Sequence, residues 1–272
     1  MPSFTSTTNH DSPIDELELP KGDSRRLHLV DVKARVASDI TLEANNKSAS
    51  ATINAAPFSG PKGIWVVTVQ AANTGDVVIS AKYKGEVVAT LKLKVIEKTT
   101  LVLPPESTVE GMLTRLFLAE SVNPGNAVAY NPDDSKKSML WMRKVVENRL
   151  AHATPKIFNA TKAAGKSYTM YDIVRAPGQF HGFEDYPKLD ASIKINLTGF
   201  LQIANNYSHS ARLVYSQFIA DAVSAAGPNA MKGFTDPSKK GLYGWRTKGS
   251  SAPGGDFVVY QDLAGQTFYT LK

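Results

Sequence analysis

The sequence predicts a multidomain chain: a small all-β sandwich first, then a mainly α domain with a few short strands. Three observations predict this. Up to about Lys98 the apolar residues come in short β-branched runs separated by turns. Pro104 and Pro105 then interrupt the strand pattern. From Thr108 onward apolar residues recur at helical spacing. The boundaries that follow are a flexible tail over 1–15, a β-sandwich over 16–98, a linker over 99–107 and a helical domain over 108–272.

Residues 1–15 are rich in Ser, Thr and Asn and read as disordered. The predicted strands are LHLVDV (27–32), ATIN (51–54), IWVVTVQA (64–71), DVVISAKY (76–83) and VVATLKLKVIE (87–97). Turns at SGPKG, NTGD and KGE separate several of them. In TLKLKVIE every second residue is apolar, the period of a half-buried strand. Ser107 and Glu110 have capping-box spacing and open a helix. On it Val109, Leu113, Leu116, Phe117 and Glu120 share one face. A second helix is predicted over 135–150, with Met139, Met142, Val145, Val146 and Leu150 inward. Further helices are predicted at 168–175, 190–205 and 209–226, the last stopped by Gly227 and Pro228. Short strands around Gly265 complete the chain.

Composition excludes several functions. The chain has 272 residues, 42% hydrophobic and 21% charged, which is ordinary globular composition. A formal charge of +6 suits an anionic polymer or surface. With no cysteine there is neither a disulfide nor a thiolate metal site. The 5 histidines lack metal-ligand spacing, so no metal and no cofactor is expected. There is no G-x-S-x-G elbow and no P-loop. Basic residues are spread through the chain rather than gathered on an aromatic platform, so no nucleic acid is expected. No apolar run approaches the roughly 20 residues that span a bilayer. The opening, MPSFTSTTNHDSPIDELELP, lacks a basic stretch followed by an apolar one. The expectation is a protein made in the cytoplasm without a signal peptide and without membrane insertion.

Glu120 is the leading candidate for chemistry. A carboxylate that ends an apolar helical face is desolvated, which raises its pKa and keeps a proton available near neutrality. A general acid acting on a glycosidic bond needs that property. The alternative is a buried Glu paired with Arg149 or Arg175. Asp133 and Asp134 precede a helix and read as caps. Glu184, in the polar aromatic loop GFEDYP, is the runner-up carboxylate.

The motifs around Glu120 carry a family resemblance. AESVNPG is similar to the Glu-Ser step of lytic transglycosylases. The wider set, Ala119-Glu120 ending a helix, VVENRL (145–150), DIVRAPGQFHGFEDYP (172–187) and GQTFY (265–269), resembles in order the bacterial cell-wall hydrolases typified by spore-cortex-lytic enzymes. It covers about 108–272, with an unmatched middle from about 188 to 255. VVISAKYKGEVVATLKLKV also resembles the last hairpin of bacterial immunoglobulin-like domains. These resemblances imply an immunoglobulin-like domain before a lysozyme-like one. They also imply cleavage of peptidoglycan between N-acetylmuramic acid and N-acetylglucosamine, by lytic transglycosylase or muramidase chemistry. Glu120 becomes the general acid, with Ser121 and Glu184 supporting it. Gln179, Phe180, Tyr260 and Tyr269 become substrate-binding residues, although Phe180 also reads as plain core. Asn148 and Arg149 hold helices together. The expected role is an antibacterial toxin working in a target's periplasm, injected as a type VI secretion effector or released by phage-type lysis. Its partners would be peptidoglycan, an immunity protein blocking the cleft, and a secretion-apparatus component on the N-terminal domain. The rival expectation is a non-catalytic wall-binding or baseplate protein.

Overall fold

The computed structural model describes residues 1–53 and 63–272. These divide into two compact units, 1–99 and 100–272. The turn expected at SGPKG, apart from Gly63, and Asn54 of the expected ATIN strand lie outside the described residues.

In the first unit the strands are β1 (Ser3–Thr5), β2 (Glu16–Pro20), β3 (Ser24–Val30), β4 (Ile40–Ala44), β5 (Ala49–Ile53), β6 (Trp65–Ala71), β7 (Gly75–Tyr83) and β8 (Glu86–Ile96). They form two four-stranded sheets, ordered β1-β3-β6-β5 and β2-β8-β7-β4. The pairing is antiparallel except for β2 on β8, which is parallel. Along β8, Ala89, Leu91, Leu93 and Val95 are buried while Thr90, Lys92 and Lys94 are exposed. Period two therefore sets which face meets the core. Lys84 and Gly85 join β7 to β8, both with positive φ (55° and 87°), as a tight hairpin turn requires. Leu27, Leu29, Val67, Val69, Ile79 and Leu91, drawn from both sheets, lie in one apolar cluster. Residues 3–5, read from sequence as part of a disordered tail, form β1, and Phe4 is buried in the same cluster.

The second unit holds helices α1 (Val109–Glu120), α2 (Pro132–Ala151), α3 (Met170–Val174), α4 (Ala191–Asn205) and α5 (Arg212–Ala226). Strands β9 (Gly244–Thr247), β10 (Phe257–Leu263) and β11 (Gln266–Leu271) follow as an antiparallel sheet with β11 in the middle. The segment before α1 is fastened down. The Asn205 side chain accepts from the Leu101 N–H (2.7 Å) and donates to the Leu101 carbonyl (2.9 Å). The buried Arg115 guanidinium donates to the carbonyls of Pro104 (2.8 Å) and Gly111 (2.9 Å). The α1 N-cap is Thr108, whose hydroxyl accepts from the Gly111 N–H, one residue later than the Ser107 cap expected from the sequence. Gly111 is needed there, because a Cβ would sit 1.9 Å from the Pro105 carbonyl oxygen. α1 and α2 bury Leu113, Leu116, Phe117, Met139, Met142, Val145 and Val146 in one cluster. Trp141 meets Phe268 of β11 edge-on at 5.0 Å, so the sheet shares that cluster. No helix among the described residues is long and apolar enough to cross a membrane.

The fold class expected from the sequence needs correction. An immunoglobulin-like sandwich followed by a mainly α lysozyme-like domain is not what is found. The chain is a mixed α/β protein of three sheets and five helices among the described residues, about 28% helical and 27% strand, so neither class predominates. Two features lie behind the difference. The strands of 244–271 form a three-stranded sheet whose Trp245, Leu263 and Phe268 enter the core. In the first unit β2 joins β8 in parallel, a pairing that needs a crossover and leaves no local sequence signal.

Candidate active site

α1 ends at Glu120, and its last turn is closed by two bonds. The Ser121 N–H donates to the Phe117 carbonyl at 3.0 Å. The Gln266 amide of β11 donates to the Glu120 carbonyl at 2.7 Å. The second bond satisfies a helix-end carbonyl that would otherwise lack a partner. Gly265 (φ +71°) lets β11 begin there, since a Cβ would come within 2.7 Å of Val122.

The Glu120 carboxyl meets β9. The Trp245 indole N–H donates to its Oε2 at 3.1 Å. The other oxygen, Oε1, has no hydrogen-bond partner among the described residues and is not sealed from solvent. Burial pushes the pKa of Glu120 up, against smaller lowering effects from the Trp245 bond and the nearby His181. Its place at the negative end of a helix acts in the same sense as burial. Neither Arg149 nor Arg175 forms an ion pair with it among the described residues. Arg149 donates to the Tyr243 carbonyl (2.7 Å) and to Gln179 Oε1 (2.9 Å), and Arg175 lies over the Tyr171 ring at 5.4 Å.

Glu120 opens on a cleft of about 370 Å³ shared with Gly178, Gln179, His181, Glu184, Trp245, Arg246, Thr247 and Ser250. Gln179 is held by the buried Arg149, whose pKa burial lowers to about 9, still charged at neutral pH. Arg149 packs on the rings of Phe158 (5.0 Å) and Phe180 (5.2 Å). Phe180 is itself buried, 4.9 Å from Trp245, and braces that ring from behind. Glu184 Oε2 accepts from the Gly182 N–H at 2.8 Å, which leaves it fixed and acceptor-ready. His181 is 92% exposed and 3.5 Å from Asp190.

The structure brings Glu120, Gln179 and Glu184 together at this cleft, with Phe180 behind it. It does not bring Ser121, Tyr260 or Tyr269. The Ser121 hydroxyl is buried 3.9 Å from the Met142 sulfur. The Tyr260 hydroxyl donates to the Pro237 carbonyl (2.7 Å), with its ring 5.7 Å from Trp141. Tyr269 is buried against Phe257. Asn148 donates to Asp236 (2.7 Å) and to the Leu242 carbonyl (2.9 Å), which joins α2 to the approach to β9. Sequence reasoning passed over Trp245 and Gln266. The only local signal was a lone Trp between glycine-rich turns in GLYGWRT.

Chemically, the arrangement is a desolvated acid at a groove, with one oxygen oriented by Trp245. Among the described residues no group of three or more His, Asp and Glu side chains could hold a metal ion.

No protein-family model matches the chain, and no curated protein matches it. Among solved structures it is similar over 38% of its length to the S-layer protein rSbsC(31-844), at 14% identity, 14% of that chain and a TM-score of 0.28. Domains 5-6 of S-layer protein SbsC match over 38% of this chain and 49% of that one, at 14% identity and a TM-score of 0.27. Amebosin matches over 34% of this chain and 94% of that one, at 17% identity and a TM-score of 0.21. At these scores the likenesses carry no inference about fold or activity.

Proposed function

We propose that the chain cleaves the glycan strands of peptidoglycan between N-acetylmuramic acid and N-acetylglucosamine, with Glu120 as the general acid. The observation that carries this reading is Glu120 itself: its pKa raised by burial, oriented by Trp245, without an ion pair among the described residues, and open to a groove. The ordered motifs shared with cell-wall hydrolases support the same substrate.

Glu120 protonates the bridging oxygen as the C1–O bond breaks. In the transglycosylase course the sugar's own 6-hydroxyl attacks C1 and returns its proton to Glu120, leaving a 1,6-anhydro end. The nucleophile is already bound, so proximity favours the attack. In the muramidase course water attacks, and a reducing end results. Glu184 is the second carboxylate of the cleft and the residue to activate that water. Gln179, held by Arg149, offers its amide to an acetamido oxygen. Action on a target bacterium's wall after injection, and an immunity protein that fills the groove around Glu120, belong to the same proposal.

Digestion of purified peptidoglycan, with fragments read by mass spectrometry, tests it. Wild type is expected to release muropeptides and Glu120→Gln to release them at least about 100-fold more slowly. Anhydro ends identify the transglycosylase course. Reducing ends, with a matching loss in Glu184→Gln, identify the hydrolase. Equal and negligible release by wild type and Glu120→Gln sinks the enzyme reading, and retention on insoluble wall would then favour a binding protein.

A further inference from the structure

A second cleft, of about 540 Å³, lies where the start of the second unit meets α3 and the loop that follows. Of its acids one is ion-paired and the other is hydrogen-bonded within its own turn, where it keeps its charge. Glu106 faces Arg115 at 3.5 Å. Asp172 accepts from the N–H and the hydroxyl of Thr169, both at 2.8 Å. Its bases, Lys166 and Arg175, form no ion pair among the described residues, and the Arg175 side chain only covers the Tyr171 ring. Two aromatic walls are fixed in place. The Tyr171 hydroxyl donates to the Ser107 carbonyl (2.9 Å) and the Tyr186 hydroxyl to the Glu106 carbonyl (2.8 Å). The cleft therefore offers two positive groups to a ligand between rigid rings.

One stretch of chain lines both clefts. Arg175, Tyr186 and Pro187 face this one, while Gln179, His181 and Glu184, between them in sequence, face the groove of Glu120. A ligand with a neutral backbone and an acidic branch fits such a pair. We infer that the second cleft binds the free carboxylates of the stem peptide carried by the glycan strand. This inference rests on the peptidoglycan reading of the first cleft. Charge-assisted hydrogen bonds from a guanidinium and an ammonium to carboxylates supply the attraction, and it weakens as salt rises.

The test uses the full chain in its Glu120→Gln form and a free stem tetrapeptide, titrated by calorimetry at low salt. Lys166→Ala/Arg175→Ala is expected to weaken binding at least about tenfold, and amidation of the peptide's carboxylates to do the same. Arg175→Lys, which keeps the charge, recovers part of the loss. Both residues are exposed, so an unchanged melting temperature checks that the double variant folds. A second arm compares cleavage of peptide-bearing glycan with glycan stripped of peptide. Wild type is expected to prefer the first about tenfold, and the double variant to lose that preference. Absence of tetrapeptide binding, or binding equally strong in the double variant or with the amidated peptide, overturns the inference. Cleavage of both glycans at one rate without peptide binding removes the second cleft and leaves the role of Glu120 standing. Peptide binding that depends on Arg175, with neither glycan cleaved, does the reverse.

Discussion

Burial costs the charged form of Glu120 more than Trp245 and the nearby His181 offset. Its pKa is raised by burial, so the folded state favours the neutral carboxyl more than the unfolded chain does. The stabilising contribution of such a group is present below its unfolded pKa and is lost as pH rises through the higher folded value. Glu120→Gln keeps an oxygen to accept from Trp245 and carries no charge. It is expected to melt above wild type at about pH 8, with the difference vanishing below about pH 4; scanning calorimetry at the two pH values checks this. The Trp245 bond works the other way and lowers the Glu120 pKa. Trp245→Phe is therefore expected to move the alkaline limb of the pH–rate profile to higher pH, while His181→Ala moves it less because His181 is largely in solvent. The apolar stripe of α1 made Glu120 legible, since it placed a charge at the end of a buried face. Trp245 was not legible: it lies 125 residues away in sequence, and nothing periodic surrounds it.

At the scale of elements, the start of α1 and the C-terminal sheet show what local pattern omits. Ser107 and Glu110 have the spacing of a capping box, yet Thr108 caps the helix, because the Thr108 N–H donates to the Pro105 carbonyl and sets the helix one residue later. The same close approach makes Gly111→Ala an overpacking change. It is expected to cost about 1–3 kcal/mol, read from the urea midpoint at unchanged slope. The tyrosines of the C-terminal strands were misplaced for a related reason. Nearly all of β11 is buried, so alternation does not separate its faces. A register shift between Val259 and Gln261 then breaks the count along β10. The β8 strand was legible because one of its faces meets solvent. Gln266→Ala should leave the Glu120 carbonyl without its partner, at a cost of about 1–2 kcal/mol. It should also slow cleavage by disturbing the end of α1, and the melting curve and the rate check this together.

At the scale of the molecule, two apolar clusters share no residue. The fragments 1–99 and 100–272 are therefore expected each to unfold cooperatively alone, with calorimetric transitions that reproduce those of the full chain. A cut at 107 should fare worse than one at 99, because Leu101 and Pro104 are bonded to Asn205 and Arg115. The two-part grammar of the sequence did not reveal the parallel pairing of β2 with β8 or the return of strands into the second core. That return has a consequence for synthesis. Glu120 lies near the middle of the chain, yet the indole that orients it and the amide that closes its helix come from residues 245 and 266. While the polypeptide is being made, the ribosome withholds both until Gln266 has emerged. A nascent chain thus carries the acid long before it carries the setting for that acid.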